Sequence, residues 1–363
     1  MDMEPVFPDY SDCCVSRLVP ALLGTSDEPS CFSEDIFLAK SIVLLVIDGL
    51  GWEQFETNKE LFPSFSDFSA NLITTVAPST TATALTSITT GVPPGEHGIV
   101  GYRIPVEGGI LNSLRWSTGS ILDKPDPYEF QLMPVFDNQQ PKVVTSSEHE
   151  GSGFSKAHLR DSRFSGYRNR TELVELIVES VTNFEPFVYA YWDGVDRMAH
   201  EFGFTERYFA ELNECNSMVA SLLERLPANV ALIVTSDHGQ VEVEDRMLEL
   251  TGPLNNLLLK QSGEARFRWL HALSGREEDL TQMAKETYAD WAWVMSKKEV
   301  LDSGLFGPIV SETVKSRLGD VALVAREKVG FTDPDEKMPF QLITRHGSLT
   351  KEEMHVPLLS TVT

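Results

Sequence analysis

Acidic and histidine side chains recur in this sequence in pairs that could bind a metal cation. In DGVDRMAHEFG, Asp196 and His200 are four residues apart, so on a helical turn both side chains project to one side. In TSDHG, Asp237 and His238 follow an apolar run, where a bend from strand to loop would let both reach one cation. Each pair alone is weak evidence. For the second pair, an Asx turn beside a surface histidine is the simpler interpretation.

Two further residues complete a set of six candidate ligands. Asp48 in VIDGLG follows an apolar run, and His346 in TRHGSLT lies beside a glycine. Mixed imidazole and carboxylate ligands suit Zn²⁺, whereas a pure carboxylate set would suggest Mg²⁺ or Mn²⁺. With one alkoxide added, the set divides into two sites of three or four protein ligands, each with open positions for a substrate.

A hydroxyl-rich stretch, PSTTATALTSITTG at residues 78–91, could supply that alkoxide. We expect a helix here, capped at its start by Ser79 or Thr80 and ended by Gly91 and Pro93. The stretch by itself does not decide between a Thr-rich structural segment and one with a nucleophile.

The elements that position these residues are apolar runs with helical patterns between them. Near-continuous apolar runs at 41–51, 141–147, 186–194 and 229–239 predict strands buried on both faces of a mainly parallel sheet. Apolar residues at intervals of three and four predict a helix over 206–226. Strands that alternate with helices indicate an α/β doubly wound fold, in which ligands bind beyond the carboxyl ends of the strands. The candidate aspartates lie at those ends.

Residues 240–345 have a different pattern, in which charged and aromatic segments alternate. We expect a small α+β subdomain inserted here. The predicted organisation is an α/β catalytic core at 1–239 and 340–363, with a cap subdomain at 240–339.

Composition narrows the classes of protein and partner. The 363 residues are 42% hydrophobic and 23% charged, as in an ordinary globular protein, with a formal net charge of −24. This charge argues against general binding of nucleic acid or anionic membranes. No apolar run approaches the ~18–20 residues of a membrane span. The four cysteines form no CxxC pair, and the N-terminus has no signal-peptide core, so we expect a cytoplasmic protein with reduced thiols.

The motifs together resemble the nucleotide pyrophosphatase/phosphodiesterase (type I phosphodiesterase) family of the alkaline phosphatase superfamily, most of all its compact bacterial cytosolic members. The matching segments occur in the family's order over most of residues 40–359; they are VIDGLG, PSTTATALTSITTGVPPGEHGIVG, DGVDRMAHEFG, SDHG and HGSLTKEEMHVPLL. The resemblance implies an alkaline-phosphatase-like fold with a cap between His238 and His346.

The resemblance also assigns roles to single residues. It implies a nucleophile at Thr81, the threonine of the family's P-S-x-T pattern. One zinc ion would be bound by Asp196, His200 and His346, and the other by Asp48, Asp237, His238 and Thr81. The implied activity is hydrolysis of phosphodiester or phosphoanhydride bonds of a small molecule or nucleotide, through a covalent phospho-threonine, with two Zn²⁺ ions or other divalent metals as cofactors. The zinc ion that does not bind Thr81 would accept the leaving oxygen.

One departure from the family leaves alternatives open. Where the family has an asparagine that binds the phosphoryl oxygen, this chain has Tyr102 in HGIVGYR; Arg103 or Asn112 could also bind it. The alternatives are a related phosphomonoesterase, phosphonate hydrolase or phosphotransferase, and outside the enzymes a non-catalytic zinc- or nucleotide-binding protein. The sequence also leaves the oligomeric state open.

Overall fold

The apolar runs of the sequence form the strands of the structure. The computed structural model of the chain describes residues 4–119, 124–336 and 341–363. Numbered along the chain, its strands are β1 Ser41–Ile47, β2 Ser69–Thr74, β3 Arg103–Val106, β4 Gly109–Asn112, β5 Lys142–Ser146, β6 Arg163–Tyr167, β7 Phe187–Trp192, β8 Val230–Thr235, β9 Val241–Glu242, β10 Met247–Leu248, β11 Leu258–Gly263, β12 Phe267–Ala272, β13 Ala292–Ser296, β14 Val321–Ala325, β15 Gly330–Phe331, β16 Thr344–Arg345 and β17 His355–Val362.

Helices occupy much of the chain between these strands. They are α1 Val15–Leu22, α2 Glu34–Phe37, α3 Trp52–Thr57, α4 Thr81–Thr90, α5 Pro94–His97, α6 Pro127–Phe130, α7 Gly153–His158, α8 Arg170–Thr182, α9 Gly194–Phe202, α10 Glu206–Arg225, α11 Gly252–Asn255, α12 Glu277–Tyr288, α13 Lys297–Asp302, α14 Glu312–Ser316 and α15 Lys351–Met354. Short 3₁₀ turns lie at Lys59–Leu61, Pro63–Phe65, Phe136–Asn138 and Ser147–His149.

Seven strands form the central sheet, in the order β2-β17-β8-β1-β7-β5-β6. β1 pairs in parallel with both β7 and β8, and β5 pairs in parallel with both β6 and β7. The predicted mainly parallel α/β architecture is therefore confirmed. The sequence did not predict that β17 lies between β2 and β8 and runs antiparallel to both.

The three strands at the middle of the central sheet, β1, β7 and β8, are buried on both faces, as the sequence predicted. Alternate residues of β1 enter two different cores. Leu44 and Val46 pack into the cluster that contains residues of α1 and α4, whereas Val43 and Leu45 pack into the cluster that contains residues of α8 and α10. Burial of each of these aliphatic side chains contributes about 1.5–3 kcal/mol to the stability of the folded state. Helices on both faces of the sheet therefore hold β1 in place, and with it the residues that follow its carboxyl end.

A second sheet lies within the segment where we expected a cap. It is antiparallel, in the order β11-β12-β14-β13. Leu280 and Ala284 of α12 share a core cluster with Val321 and Leu323 of this sheet, while Trp269 joins the core of the central sheet. The content of helix and antiparallel strand is that of an α+β unit. The boundary expected at 339/340 lies outside the described residues, and the division into core and cap stays a prediction.

The hydroxyl-rich stretch is a buried helix. α4 begins after Thr80 and ends at Gly91, whose φ of 73° is the left-handed conformation that glycine adopts readily. The predicted capping by a side chain is wrong, because the Thr80 side chain makes no capping hydrogen bond. Thr86 and Thr90 instead donate to the carbonyls of Ala82 and Thr86, which satisfies buried hydroxyls within the helix.

Two observations bear on the expected environment of the chain. Among the described residues, no helix has the length and apolarity that a membrane crossing requires. All four cysteines are free thiols.

Candidate active site

Three neighbouring parallel strands place the acidic residues at one edge of the sheet. Asp48 follows β1, Asp193 follows β7 and Asp237 follows β8 by one residue. Backbone hydrogen bonds tie these ends together: Asp48 N–H donates to Trp192 O at 2.9 Å, and Asp196 N–H donates to Asp48 O at 3.1 Å. Because the carboxyl ends of parallel strands meet at one edge, three segments distant in sequence form one site.

Gly49 is required by the close approach of these segments. Its φ is +74°, and a Cβ atom there would lie 3.0 Å from the Cα of Asp196 and 2.3 Å from Nε2 of Gln240. Its N–H donates to Asp237 Oδ1 at 3.1 Å. The glycine after Asp48 therefore brings that aspartate against both Asp196 and Asp237, and it is more than a turn residue.

The three candidate histidines are oriented in the same way. In each ring Nδ1 bonds a backbone carbonyl: His200 to Thr344 O at 2.8 Å, His238 to Gly239 O at 3.0 Å, and His346 to Ser79 O at 3.0 Å. A ring that donates from Nδ1 presents an unprotonated Nε2, which is the arrangement found in metal-bound histidines. All three Nε2 atoms lie near carboxylates: His200 is 3.3 Å from Asp196, His238 is 3.4 Å from Asp48, and His346 is 4.0 Å from Asp196.

Two buried carboxylate oxygens in this cluster have no hydrogen-bond partner among the described residues. They are Oδ1 of Asp48 and Oδ2 of Asp237. The other oxygens are held: Asp48 Oδ2 accepts from the Tyr191 hydroxyl, and Asp237 Oδ1 accepts from the His238 N–H at 3.0 Å. An unpaired buried carboxylate oxygen is costly unless a cation binds it. The donor set and its free atoms therefore fit a divalent metal ion.

The ionisation of the cluster also fits bound cations. Burial raises the pKa of Asp48 and of Asp196, and the nearby charge of Asp237 raises both further. Burial lowers the pKa of His200 to about 4 and that of His346 well below its usual value, so both rings are neutral near pH 7. Clustered carboxylates that repel one another, together with neutral imidazoles, form a site that positive metal ions would stabilise.

The structure brings all six candidate ligands together but groups them with His238 at the centre. Mutually close ligand atoms, within 4.8 Å, form two triads: Asp48, Asp237 and His238, and Asp196, His238 and His346. The rings of His238 and His346 are stacked, with centroids 3.6 Å apart. His200 belongs to neither triad, but its Nε2 lies 3.3 Å from Oδ1 of Asp196, which is a member of the second one. How the ligands divide between two ions stays a prediction.

Thr81 is the first residue of α4 and faces this cluster. Its hydroxyl is 3.1 Å from Nε2 of His238. The side chain is 93% buried (7% exposed) and lies in the wall of a cavity of about 1100 Å³ that Asp48, Asp196 and His346 also line. The free N–H groups of the first turn of a helix favour an anion at the same place.

Of the three predicted phosphate-binding residues, only Tyr102 lines this cavity. The Arg103 guanidinium bonds Asp333, and the Asn112 side chain accepts from the backbone of Arg115 at 2.9 Å. Neither side chain lines the cavity. Binding of phosphate by these two residues stays a prediction, and their observed contacts do not favour it.

Four residues in or beside the site were missed as functional candidates. Tyr191 donates a hydrogen bond from its hydroxyl to Asp48. Gln240 donates to Asp196 Oδ1 at 2.9 Å. Glu264 and Arg345 line the cavity, and each has buried polar atoms that find no hydrogen-bond partner among the residues that the structure describes. The only available signals were that Gln240 and Arg345 lie within two residues of a candidate ligand.

The family profile described as "Type I phosphodiesterase / nucleotide pyrophosphatase" matches residues 42–349. The chain belongs to this family, and it is an enzyme that hydrolyses phosphoester bonds. A search of curated protein sequences found no match.

Solved structures with the same fold include two kinds of hydrolase. Murine ectonucleotide pyrophosphatase/phosphodiesterase 5 is 18% identical with a TM-score of 0.67, over 88% of this chain and 87% of that one; an inactive threonine-to-alanine variant in complex with AMP has the same values. Phosphonoacetate hydrolase from Sinorhizobium meliloti, in complex with phosphonoformate, is 17% identical with a TM-score of 0.64, over 89% of this chain and 90% of that one. At these identities the likeness shows the alkaline-phosphatase-like fold.

Proposed function

We propose that this chain hydrolyses phosphodiester or phosphoanhydride bonds of a small molecule, nucleotides among them, with Thr81 as nucleophile and two bound Zn²⁺ ions or other divalent metals as cofactors. The observation that carries the proposal is the convergence of six carboxylate and imidazole ligands on the hydroxyl of Thr81. The ends of β1 and β8, the helices α4 and α9, and one distant loop contribute to this cluster.

The metal ligands would be Asp196, His200 and His346 for one ion, and Asp48, Asp237, His238 and Thr81 for the other. Two such ions would lower the pKa of the Thr81 hydroxyl and neutralise negative charge on the phosphoryl group and the leaving oxygen. The backbone carbonyls behind the histidines and the Tyr191 hydroxyl behind Asp48 keep these ligands oriented before substrate binds. Two divalent cations also explain how a chain of charge −24 could bind an anionic substrate.

The role of Thr81 follows from its position at the start of α4. Its Oγ would attack phosphorus, the bond from phosphorus to the leaving oxygen would break, and the phosphoryl group would remain on the threonine. Water would then hydrolyse the phospho-threonine and restore the hydroxyl. The N–H groups of the first turn of α4 favour the negative phosphoryl group throughout, and the Tyr102 hydroxyl in the cavity wall would donate to one of its oxygens.

The similar structures agree with this proposal. The murine enzyme is inactive when a threonine is replaced by alanine, and that variant binds AMP. The bacterial enzyme acts on phosphonoacetate, so the fold also hosts phosphonate hydrolysis. A cytoplasmic location, no membrane association and no general nucleic-acid binding remain proposals from the composition and the free cysteines.

A substrate panel tests the function. Zinc-loaded protein is assayed with a p-nitrophenyl phosphodiester, p-nitrophenyl phosphate, a nucleotide sugar, a nucleoside triphosphate and phosphonoacetate. We expect the highest kcat/KM with a diester or anhydride. A preference for the monoester or the phosphonate would support one of the alternative hydrolases, and no turnover of any substrate would contradict the proposal.

A further inference from the structure

Arg345 is the one arginine in its neighbourhood that lacks a partner among the described residues. Within the described part of the chain, its guanidinium makes no ion pair or hydrogen bond, and its Nε atom is buried without a partner. Its neighbours are all neutralised: Arg266 bonds Glu353 at 2.8 Å, Arg268 bonds Glu336 at 3.0 Å, and Arg103 bonds Asp333. Because three acids serve three arginines, the charge of Arg345 is left over.

The remaining acids nearby do not neutralise Arg345. Glu336 affects the pKa of Arg345 most among the charged groups, but its carboxylate is bonded to Arg268. Glu264 also lines the cavity, and burial raises its pKa to about 8, so it is mostly uncharged near pH 7. A half-buried guanidinium without a counter-charge is costly, and a ligand with an anionic group would remove that cost.

Arg345 lies on one particular side of the site. It belongs to β16 and precedes His346, and its side chain lines the same cavity as Thr81. Its positive charge lowers the pKa of both His200 and His346. In the proposed function, these histidines belong to the ion that does not bind Thr81, and the family resemblance implies that this ion would accept the leaving oxygen. Arg345 therefore lies beside a ligand of the ion that would accept the leaving oxygen.

We propose that Arg345 binds an anionic group, carboxylate or phosphate, on the leaving group, and that the enzyme prefers substrates whose leaving group carries a second negative charge. This inference rests on the proposed function and deepens it. The planar fork of arginine binds either anion through two parallel hydrogen bonds, a geometry that lysine does not reproduce.

A matched pair of diesters tests this preference. Both contain the same phosphodiester group. The leaving group is 4-hydroxybenzoate in one and the methyl ester of 4-hydroxybenzoate in the other, so the two leaving groups differ by one negatively charged carboxylate. We expect wild-type enzyme to favour the carboxylate diester, and Arg345→Gln to lower the ratio of the two kcat/KM values about tenfold or more. Arg345→Lys should give an intermediate ratio. The control Arg246→Gln removes an exposed arginine outside the cavity and should keep the wild-type ratio.

The outcomes separate the two proposals. Turnover of neither diester by wild-type enzyme would contradict the proposed function. Turnover of both with the same ratio in wild type and Arg345→Gln would overturn the role of Arg345 and leave the function standing. An equal loss for both diesters would mean that Arg345 acts on the reacting phosphoryl group, and it would likewise overturn the inference.

Two further measurements identify the anion without relying on that ratio. The first compares a nucleoside triphosphate, whose leaving group is pyrophosphate, with the carboxylate diester. The substrate whose kcat/KM falls more in Arg345→Gln carries the anion that Arg345 binds better. Calorimetric titration of zinc-loaded protein with 4-hydroxybenzoate measures binding of the carboxylate directly. Binding should be weaker in Arg345→Gln than in Arg246→Gln, and equal binding in the two variants would contradict the proposal.

Discussion

The hydroxyl of Thr81 lies 3.1 Å from Nε2 of His238, although 157 residues separate them in sequence. Thr81 is the first residue of the buried helix α4, and His238 comes directly after Asp237, beyond the end of the buried strand β8. We predict that Thr81→Ala lowers kcat on the order of a thousandfold or more, because the nucleophile is lost. Zinc content and the unfolding midpoint should change little. Thr81→Ser is the matched control, since it keeps a hydroxyl; full activity of Thr81→Ala would exclude Thr81 as nucleophile.

Removal of metal should inactivate the enzyme and destabilise it. Without cations, the carboxylates of Asp48, Asp196 and Asp237 repel one another in a buried site, and binding of ions to the folded state alone adds stability. We expect EDTA to abolish turnover and lower the melting temperature, and Zn²⁺ to restore both. Elemental analysis should find two metal ions per chain. Activity that persists after chelation would contradict the metal proposal.

The Tyr191 hydroxyl should tune metal affinity through Asp48. Tyr191→Phe removes the hydrogen bond to Asp48 Oδ2, and loss of such a supporting bond typically weakens metal binding about 10–100-fold. Competition with a chromogenic chelator measures this. Tyr189→Phe is the matched control, because the Tyr189 hydroxyl is buried in the same cavity wall with no partner among the described residues. Equal affinities in the two variants would exclude this role.

Glu264 should make stability depend on pH in the metal-free protein. Burial raises its pKa in the folded state to about 8 from an ordinary value of 4.5. A raised carboxyl pKa means that the folded state is favoured below about pH 4.5 and loses that advantage as the pH rises towards 8. At pH 7 the buried Glu264 therefore lowers the free energy of unfolding by about 3 kcal/mol.

Urea unfolding at several pH values tests this effect. Glu264→Gln has no such cost, so its stability relative to wild type should grow between pH 5 and pH 8. The control Glu107→Gln changes an exposed carboxylate, and its difference from wild type should stay constant. A constant difference for Glu264→Gln as well would contradict the prediction.

Tyr102 and Arg103 should respond differently to substitution. Tyr102→Phe removes a donor from the cavity wall, and we expect kcat/KM to fall about tenfold, the loss of one hydrogen bond of about 1.4 kcal/mol. Arg103→Gln removes the hydrogen-bonded guanidinium from the buried Asp333, which should cost about 1–3 kcal/mol of folding stability. Kinetics and urea unfolding of both variants separate the roles. A greater loss of kcat/KM in Arg103→Gln than in Tyr102→Phe, at full stability, would support Arg103 as the phosphate-binding residue.

Local sequence predicted the main strands and the longest helix well. The apolar run at 229–239 contains β8 at Val230–Thr235, and the helix predicted over 206–226 is observed at Glu206–Arg225. These elements are determined by the period of their apolar residues, which is a local property. The antiparallel position of β17 was not predicted, because the direction of a strand depends on partners far away in sequence.

The sequence by itself determined that candidate ligands follow apolar strands, and that parallel strands bring their carboxyl ends to one edge. This is enough to assemble Asp48, Asp196 and Asp237. Only the tertiary structure decided which polar neighbours support them and which charges remain unpaired. Arg103 and Arg345 have the same side chain, and only the contact of Arg103 with Asp333, 230 residues away, distinguishes them. Pairing of charges depends on distance in space, and residue spacing along the chain does not encode it.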